Sequence, residues 1–313
     1  MTNKICKLHR MERREVFMKI INEMKKAGWQ QLNDDKPNKN NIFVMYSTGN
    51  DGTKNNYIEL RPYDSNIKNS QLSSAFDIRD PNVVFADGSY RLIRGYDKDG
   101  GIGTGEEVWF PLVFLHGKAN YTSGPTNINY KEYMVDLYLY ADKDSVIYCV
   151  YANDDEIPSE KGRTTIGFLG LPDESYQPEL FSPYSTSFSV LLSGGAYGDK
   201  YAHVTDNSKF ARSSINSRQI STFFWDKVFL KAPSNEGKMV LTPLYIGNNV
   251  DGFRGKYDGF YIYKGSGYIY GDILEVIENN EVQKYKLFYT YGSTIIGSQY
   301  NSFNEFAVAL RIE

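Results

Sequence analysis

The chain has 313 residues, and its 35 Lys and Arg against 38 Asp and Glu give a formal net charge of -3, so it lacks the overall field that would hold nucleic acid or an anionic membrane. Hydrophobic residues at 41% supply a core and argue against wholesale disorder, while apolar runs such as 110–115 are far shorter than a bilayer-spanning helix. The length points to two domains or to one with large insertions.

The aromatic share is the most informative part of the composition. Twenty-six Tyr and 18 Phe accompany 27 Gly and only 11 Pro, which suits many short strands joined by tight turns. The expected class is mainly β, with β-sandwich-like sheets and an N-terminal amphipathic α-helix. Cys6 and Cys149 are too few for a disulfide scaffold and have no metal-ligand spacing. The basic stretch from Met1 to Arg14 has no apolar segment behind it, so no secretory signal is expected and synthesis is expected in the cytoplasm. On that footing the acceptor-like Asn120-Tyr121-Thr122 is a chance match.

In chain order, the first element is a helix from about Glu12 to Ala27, because Val16, Phe17, Ile20, Ile21 and Met24 recur at the spacing of one helix face. Lys25 and Lys26 suit its C-terminal dipole, and Gly28 supplies the left-handed stop. The helix is expected to cap the sheet of its own chain rather than dock on a partner. His9 falls in the tail ahead of it. Strands follow at 42–46 and 57–61 around the turn formers of 47–52, then at 83–85 and 89–93, and at 108–115. The stretches 133–140 and 146–151 pair across Ala141-Asp142-Lys143-Asp144-Ser145.

From Gly162 the texture changes, and Ile166 to Pro172 reads as an apolar, bend-rich segment. The division is expected near Tyr176, with a helix-plus-β domain over 1–176 and a Tyr/Gly-rich β domain over 177–313. In the latter, strands are predicted at 222–230 and 240–246, a Gly/Tyr-rich meander at 259–270, a hairpin of 273–277 and 282–289 around Asn279-Asn280, and a closing strand over 303–312.

Catalytic signatures are scarce. His9, His116 and His203 have no HExxH or comparable neighbour, and Gly265-Ser266-Gly267 lies between Tyr-rich strands rather than on a strand-to-helix elbow. Gly100 to Gly105 resembles a phosphate-cradling loop, but Val108-Trp109-Phe110 behind it favours a strand where such a loop needs a helix N-terminus. Asp97-Lys98-Asp99 fails as an EF-hand, with Ile102 where the loop requires Gly and Val108 where it requires Glu. The acidic clusters Glu106-Glu107 and Asp154-Asp155-Glu156 read as solvated loops, since sugar hydrolysis needs two carboxyls facing each other across a groove. No catalytic residue, cofactor or metal ligand is therefore assigned. Tyr257, Tyr261, Tyr263, Tyr268 and Tyr270 are the candidate contact residues, because such rings anchor protein interfaces and stack on sugars.

Several blocks occur in a recognisable order: Ala27-Gly28-Trp29 after an amphipathic helix; Met45 to Gly52 with Ser47-Thr48-Gly49, followed by Tyr57 to Leu60; and Leu137 to Ile147 leading to Ile166-Gly167-Phe168-Leu169. In this order they resemble a family of virion structural proteins of tailed bacteriophages, over roughly the first 180 residues. The resemblance implies a non-enzymatic component of the tail, baseplate or neck, made in the bacterial host and working through contacts with copies of itself and other phage structural proteins. No functional residues come with it. The rival expectations are a module binding host-surface glycan through the tyrosines and a cell-wall polysaccharide hydrolase. Nucleic acid and membrane insertion are not expected.

Overall fold

On the helix that their spacing dictates, Val16, Phe17, Ile20, Ile21 and Met24 are all buried. The helix ends at Lys26 with Ala27 as its cap, and Gly28 follows with a φ of 100°, the left-handed geometry that a side chain resists. The computed structural model describes residues 4–12, 15–35, 42–62, 89–105, 110–112, 134–152, 164–171, 173–175, 188–191, 203–204, 212–213, 241–248, 252–264, 271–278, 280–289 and 306–313. Among these the chain runs β1 (Lys7–Glu12), α1 (Val16–Lys26), β2 (Gln30–Gln31), β3 (Phe43–Ser47), β4 (Asn56–Arg61), β5 (Ser89–Asp97), β6 (Ile102–Gly105) and β7 (Phe110–Pro111). It continues with β8 (Met134–Ala141), β9 (Ser145–Ala152), β10 (Thr164–Gly170), β11 (Glu174–Ser175), β12 (Phe188–Leu191) and β13 (His203–Val204). The last strands are β14 (Arg212–Ser213), β15 (Thr242–Asn248), β16 (Gly252–Lys264), β17 (Ile273–Glu278), β18 (Glu281–Tyr289) and β19 (Phe306–Arg311). The fold is mainly β, as the composition implies.

The described strands form three antiparallel sheets. A central sheet has the order β1-β8-β9-β10-β12-β13; an N-terminal sheet has β2-β3-β4-β5-β6, with β7 also on β5; a C-terminal sheet has β14-β15-β16-β19-β18-β17, with β11 on β16. Residues 145–151 on β9 are buried without a break, the pattern of a strand covered on both faces. On one face Val135, Leu137, Leu139, Val146, Tyr148 and Val150 share a core with the helix and with Met45, Ile58, Leu60 and Tyr90 of the N-terminal sheet. On the other, Tyr138 meets Phe288 with ring centroids 5.3 Å apart and Phe168 meets Tyr257 at 4.2 Å, so this face packs on the C-terminal sheet.

Several expectations shift. The tail before the helix is β1, with His9 opposite Leu137, so the helix begins at Val16 rather than near Glu12. Its apolar and basic residues alternate too weakly to announce a strand, and long-range pairing with β8 fixes it. The segment read as bend-rich is β10, in the interior of the central sheet. Gly167 there lies opposite Tyr148, and a side chain on it would collide with that ring; the glycine marks close packing rather than a bend. The Gly/Tyr-rich stretch through Lys264 is one long strand, β16, rather than a meander. Near Tyr176, sheet membership interleaves: β11 belongs to the C-terminal sheet while the later β12 and β13 belong to the central one. The predicted strands at 83–85 and 222–230 and the stretch 265–270 lie outside the described residues, as does 108–115 apart from 110–112.

Candidate functional site

The three motif blocks meet at one corner, built on the turn between β8 and β9. Asp142 Oδ1 accepts the backbone N–H groups of Asp144 (2.8 Å) and Ser145 (2.7 Å), which closes the turn. Trp29 Nε1, just beyond the helix, donates to Asp142 O at 2.6 Å, and Ser47 Oγ donates to Lys143 O at 2.6 Å. From the β3–β4 loop, Asn50 Nδ2 donates to Asp142 Oδ2 (3.2 Å) and Asp144 Oδ2 (2.7 Å), and Lys54 Nζ pairs with Asp144 Oδ1 at 3.1 Å. Leu171 N, just past β10, donates to Asp144 O at 3.0 Å. Segments 96 and 113 residues away along the chain are thus tied together by side chains that bond the backbone of a single turn. The arrangement is a bracket: the two carboxylates accept from donors of this chain.

The glycine run at 100–105 is also structural. It forms the β5–β6 hairpin, in which Gly103 N donates to Glu59 Oε2 at 2.7 Å and Arg91 donates to the same oxygen at 2.8 Å. Glu59 is fully buried and a Cβ at Gly103 would lie 2.5 Å from its Oε2, so only glycine lets this strand approach. Asp97 Oδ1 accepts Asp99 N at 3.0 Å, an Asx turn that gives the acidic pair a local role.

Between the central and C-terminal sheets lies a buried charge. Lys4 is 1% exposed; its Nζ reaches Asp173 Oδ1 at 2.5 Å and donates to Ser145 Oγ at 3.0 Å. The rings of Tyr140 and Phe168 lie 5.9 and 5.8 Å from it. Asp173 also accepts Asp258 N from β16 at 2.7 Å, so the pair joins the N-terminal segment to both sheets. Nearby, burial pushes the Cys6 thiol up to about 12, against a smaller downward pull from Lys4, and burial lifts Cys149 well above its ordinary value. Burial also raises the phenol of Tyr140, reinforced by Asp142, whose Oδ2 accepts its O–H at 2.8 Å. These groups are held in their neutral forms.

The nominated tyrosines Tyr257 and Tyr261 on β16 divide between two faces. Opposite Pro243 and Leu244 of β15, the partner on β16 jumps from Tyr261 to Tyr257, a bulge containing Gly259 at φ 85°. The irregularity reverses the alternation. Tyr257 is fully buried against the central sheet, whereas Tyr261 lies on the opposite face, 5.3 Å from Tyr285 and packed with Leu274 and Val276. Tyr257 is therefore removed from the contact set: its ring is core. Tyr263 sits on β16 opposite Ala307, and Tyr268 and Tyr270 lie outside the described residues. Of the histidines, His9 is on β1, His203 is on β13, and His116 is outside the described residues.

A different apolar surface is exposed. Ile277 is 77% exposed, Leu8 54%, Ile273 53% and Val282 52%. Leu8 is opposite Tyr138, and Ile273 is opposite Lys286, whose ammonium lies 5.7 Å from the Tyr138 ring centroid. Leu8 and Ile273 therefore flank the same edge of the two-sheet packing, and the facing pair Ile277–Val282 continues it along the β17–β18 hairpin. The signal in the sequence is the doublets Ile273-Leu274 and Val276-Ile277, which make both faces of an edge hairpin apolar. In comparison with known proteins, the chain matches no family model and no curated protein.

Proposed function

We propose that this chain is a non-enzymatic structural component of a tailed-phage virion, in the tail, baseplate or neck, acting through contacts made in many copies. The observation that carries the reading is the convergence of Ala27-Gly28-Trp29, Ser47 to Gly52 and Ala141 to Ser145 on one corner. These blocks, on which the resemblance rests, are parts of the chain that tie its elements together. A framework cross-tied in this way, with apolar residues exposed at its sheet edges, has the physical character of an assembly subunit. The test is mass spectrometry and electron microscopy of purified intact particles. The expected result is stoichiometric recovery of the chain and its density in the tail or neck; its absence from intact particles overturns the proposal.

A further inference from the structure

Among the described residues, β1 ends the central sheet and β17 ends the C-terminal sheet. The contacts of β8 with β18 and of β10 with β16 show that strand order advances in the same sense in the two layers, so β1 and β17 lie at the same side of the packing. Their directions also follow. Cys6 N donates to Arg311 O, while Leu8 is opposite Tyr138, whose ring meets Phe288 across from Val308. The chain from Cys6 to Leu8 thus runs against β19, and β17, two antiparallel steps away from β19, runs against β1.

The two edges differ in charge. β1 carries Lys7 and Arg10, both exposed, and no acid before Glu12; β17 carries Glu275 and Glu278 and no base, with exposed Asp272 just before it. An edge strand that exposes backbone and apolar side chains is a template for another strand. Placing β1 against β1 and β17 against β17 of a second copy would set like charges face to face. A two-fold axis parallel to the strands instead exchanges the layers, puts β1 beside the acidic edge of the other copy in antiparallel orientation, and does so twice.

We propose that this side of the molecule is a self-association surface, on which two copies pair β1 of each with β17 of the other. Leu8, Ile273, Ile277 and Val282 supply the apolar contact, and the two charge-complementary edges set the pairing. The inference rests on the reading of the chain as an assembly subunit and names its first contact.

Sedimentation velocity on the purified full chain at increasing concentration tests it, with circular dichroism as the check on folding. The wild type is expected to dimerise. K7E/R10E and E275K/E278K, each tested alone, should weaken the dimer at least about tenfold, since each sets like charges across both seams. The chain carrying all four reversals should dimerise again, because its edges are complementary once more. A like-with-like dimer would not weaken on either double reversal, since each only exchanges one like-charge seam for another. A wild type that stays monomeric, an oligomer indifferent to the reversals, or four reversals that remain as weak as two would each overturn the pairing. If the charge reversals leave the fold altered, I277D and V282D replace them, with loss of the dimer expected and its retention overturning the proposal. A monomer in solution that is still recovered in intact particles would overturn the edge pairing alone and leave the virion assignment standing.

Discussion

Cys6 sits where the N-terminal segment crosses between two sheets, its backbone N–H bound to Arg311 O at 2.8 Å and its side chain buried. Burial holds the thiol up to about 12 against an ordinary 9.0, so between those values the unfolded chain releases a proton that the folded chain keeps. The stability contributed by this group is complete below pH 9.0 and is lost as pH rises towards about 12, by at most about 1.4 kcal/mol per pH unit. Cys149, raised for the same cause, adds in the same direction. Urea midpoints across the alkaline range should fall more steeply for the wild type than for Cys6→Ala, and native protein should resist alkylation that unfolded protein accepts. Equal slopes in the two proteins would show that the thiol titrates alike folded and unfolded.

At the scale of elements, the helix was legible because its period is written in five large residues, and the same residues give a paired test. Ile20→Ala removes a fully buried side chain and should cost about 2–5 kcal/mol, whereas Met18→Ala, on the exposed side, should change stability by less than about 0.5 kcal/mol. Comparable losses in denaturant titrations of the two variants would contradict the assigned face. The β3–β4, β8–β9 and β17–β18 hairpins were legible for a similar reason, since strand and turn are adjacent in the chain; Asn280 adopts the positive φ of 65° that its turn implies. What could not be read were features fixed by distant partners. β1 depends on β8, more than a hundred residues away, and Gly167 reads as part of a bend until the Tyr148 ring lies against it. Which tyrosine of β16 is core could not be read either, because a bulge at Gly259, close against Lys4 and Ile147, changes which face each tyrosine takes. For the same reason the exposed edge was missed: strand exposure is decided by which strands end a sheet, a property of the pairing rather than of local sequence.

For the whole molecule, the question is what keeps the layers in register, and the Lys4–Asp173 pair joins the N-terminal segment to two of them. It links the N-terminal segment to Ser145 at the start of β9 and, through Asp173 and Asp258, to β16. An ammonium and a carboxylate buried together lose much of their hydration, so the pair's net worth is small while the cost of stranding either member is large. Lys4→Met leaves the Asp173 carboxylate without its counter-ion, and Asp173→Asn does the same to the ammonium; each should destabilise by about 3–5 kcal/mol. In the double variant Met fills the volume of the lysine stem and Asn still offers an oxygen to Asp258 N, so the loss should be well below the sum of the single losses. A double-mutant cycle measured by urea unfolding reads this directly as a coupling energy. Strictly additive losses would mean that the two charges do not depend on each other, and the layers would then owe their register to the aromatic contacts Tyr138–Phe288 and Phe168–Tyr257.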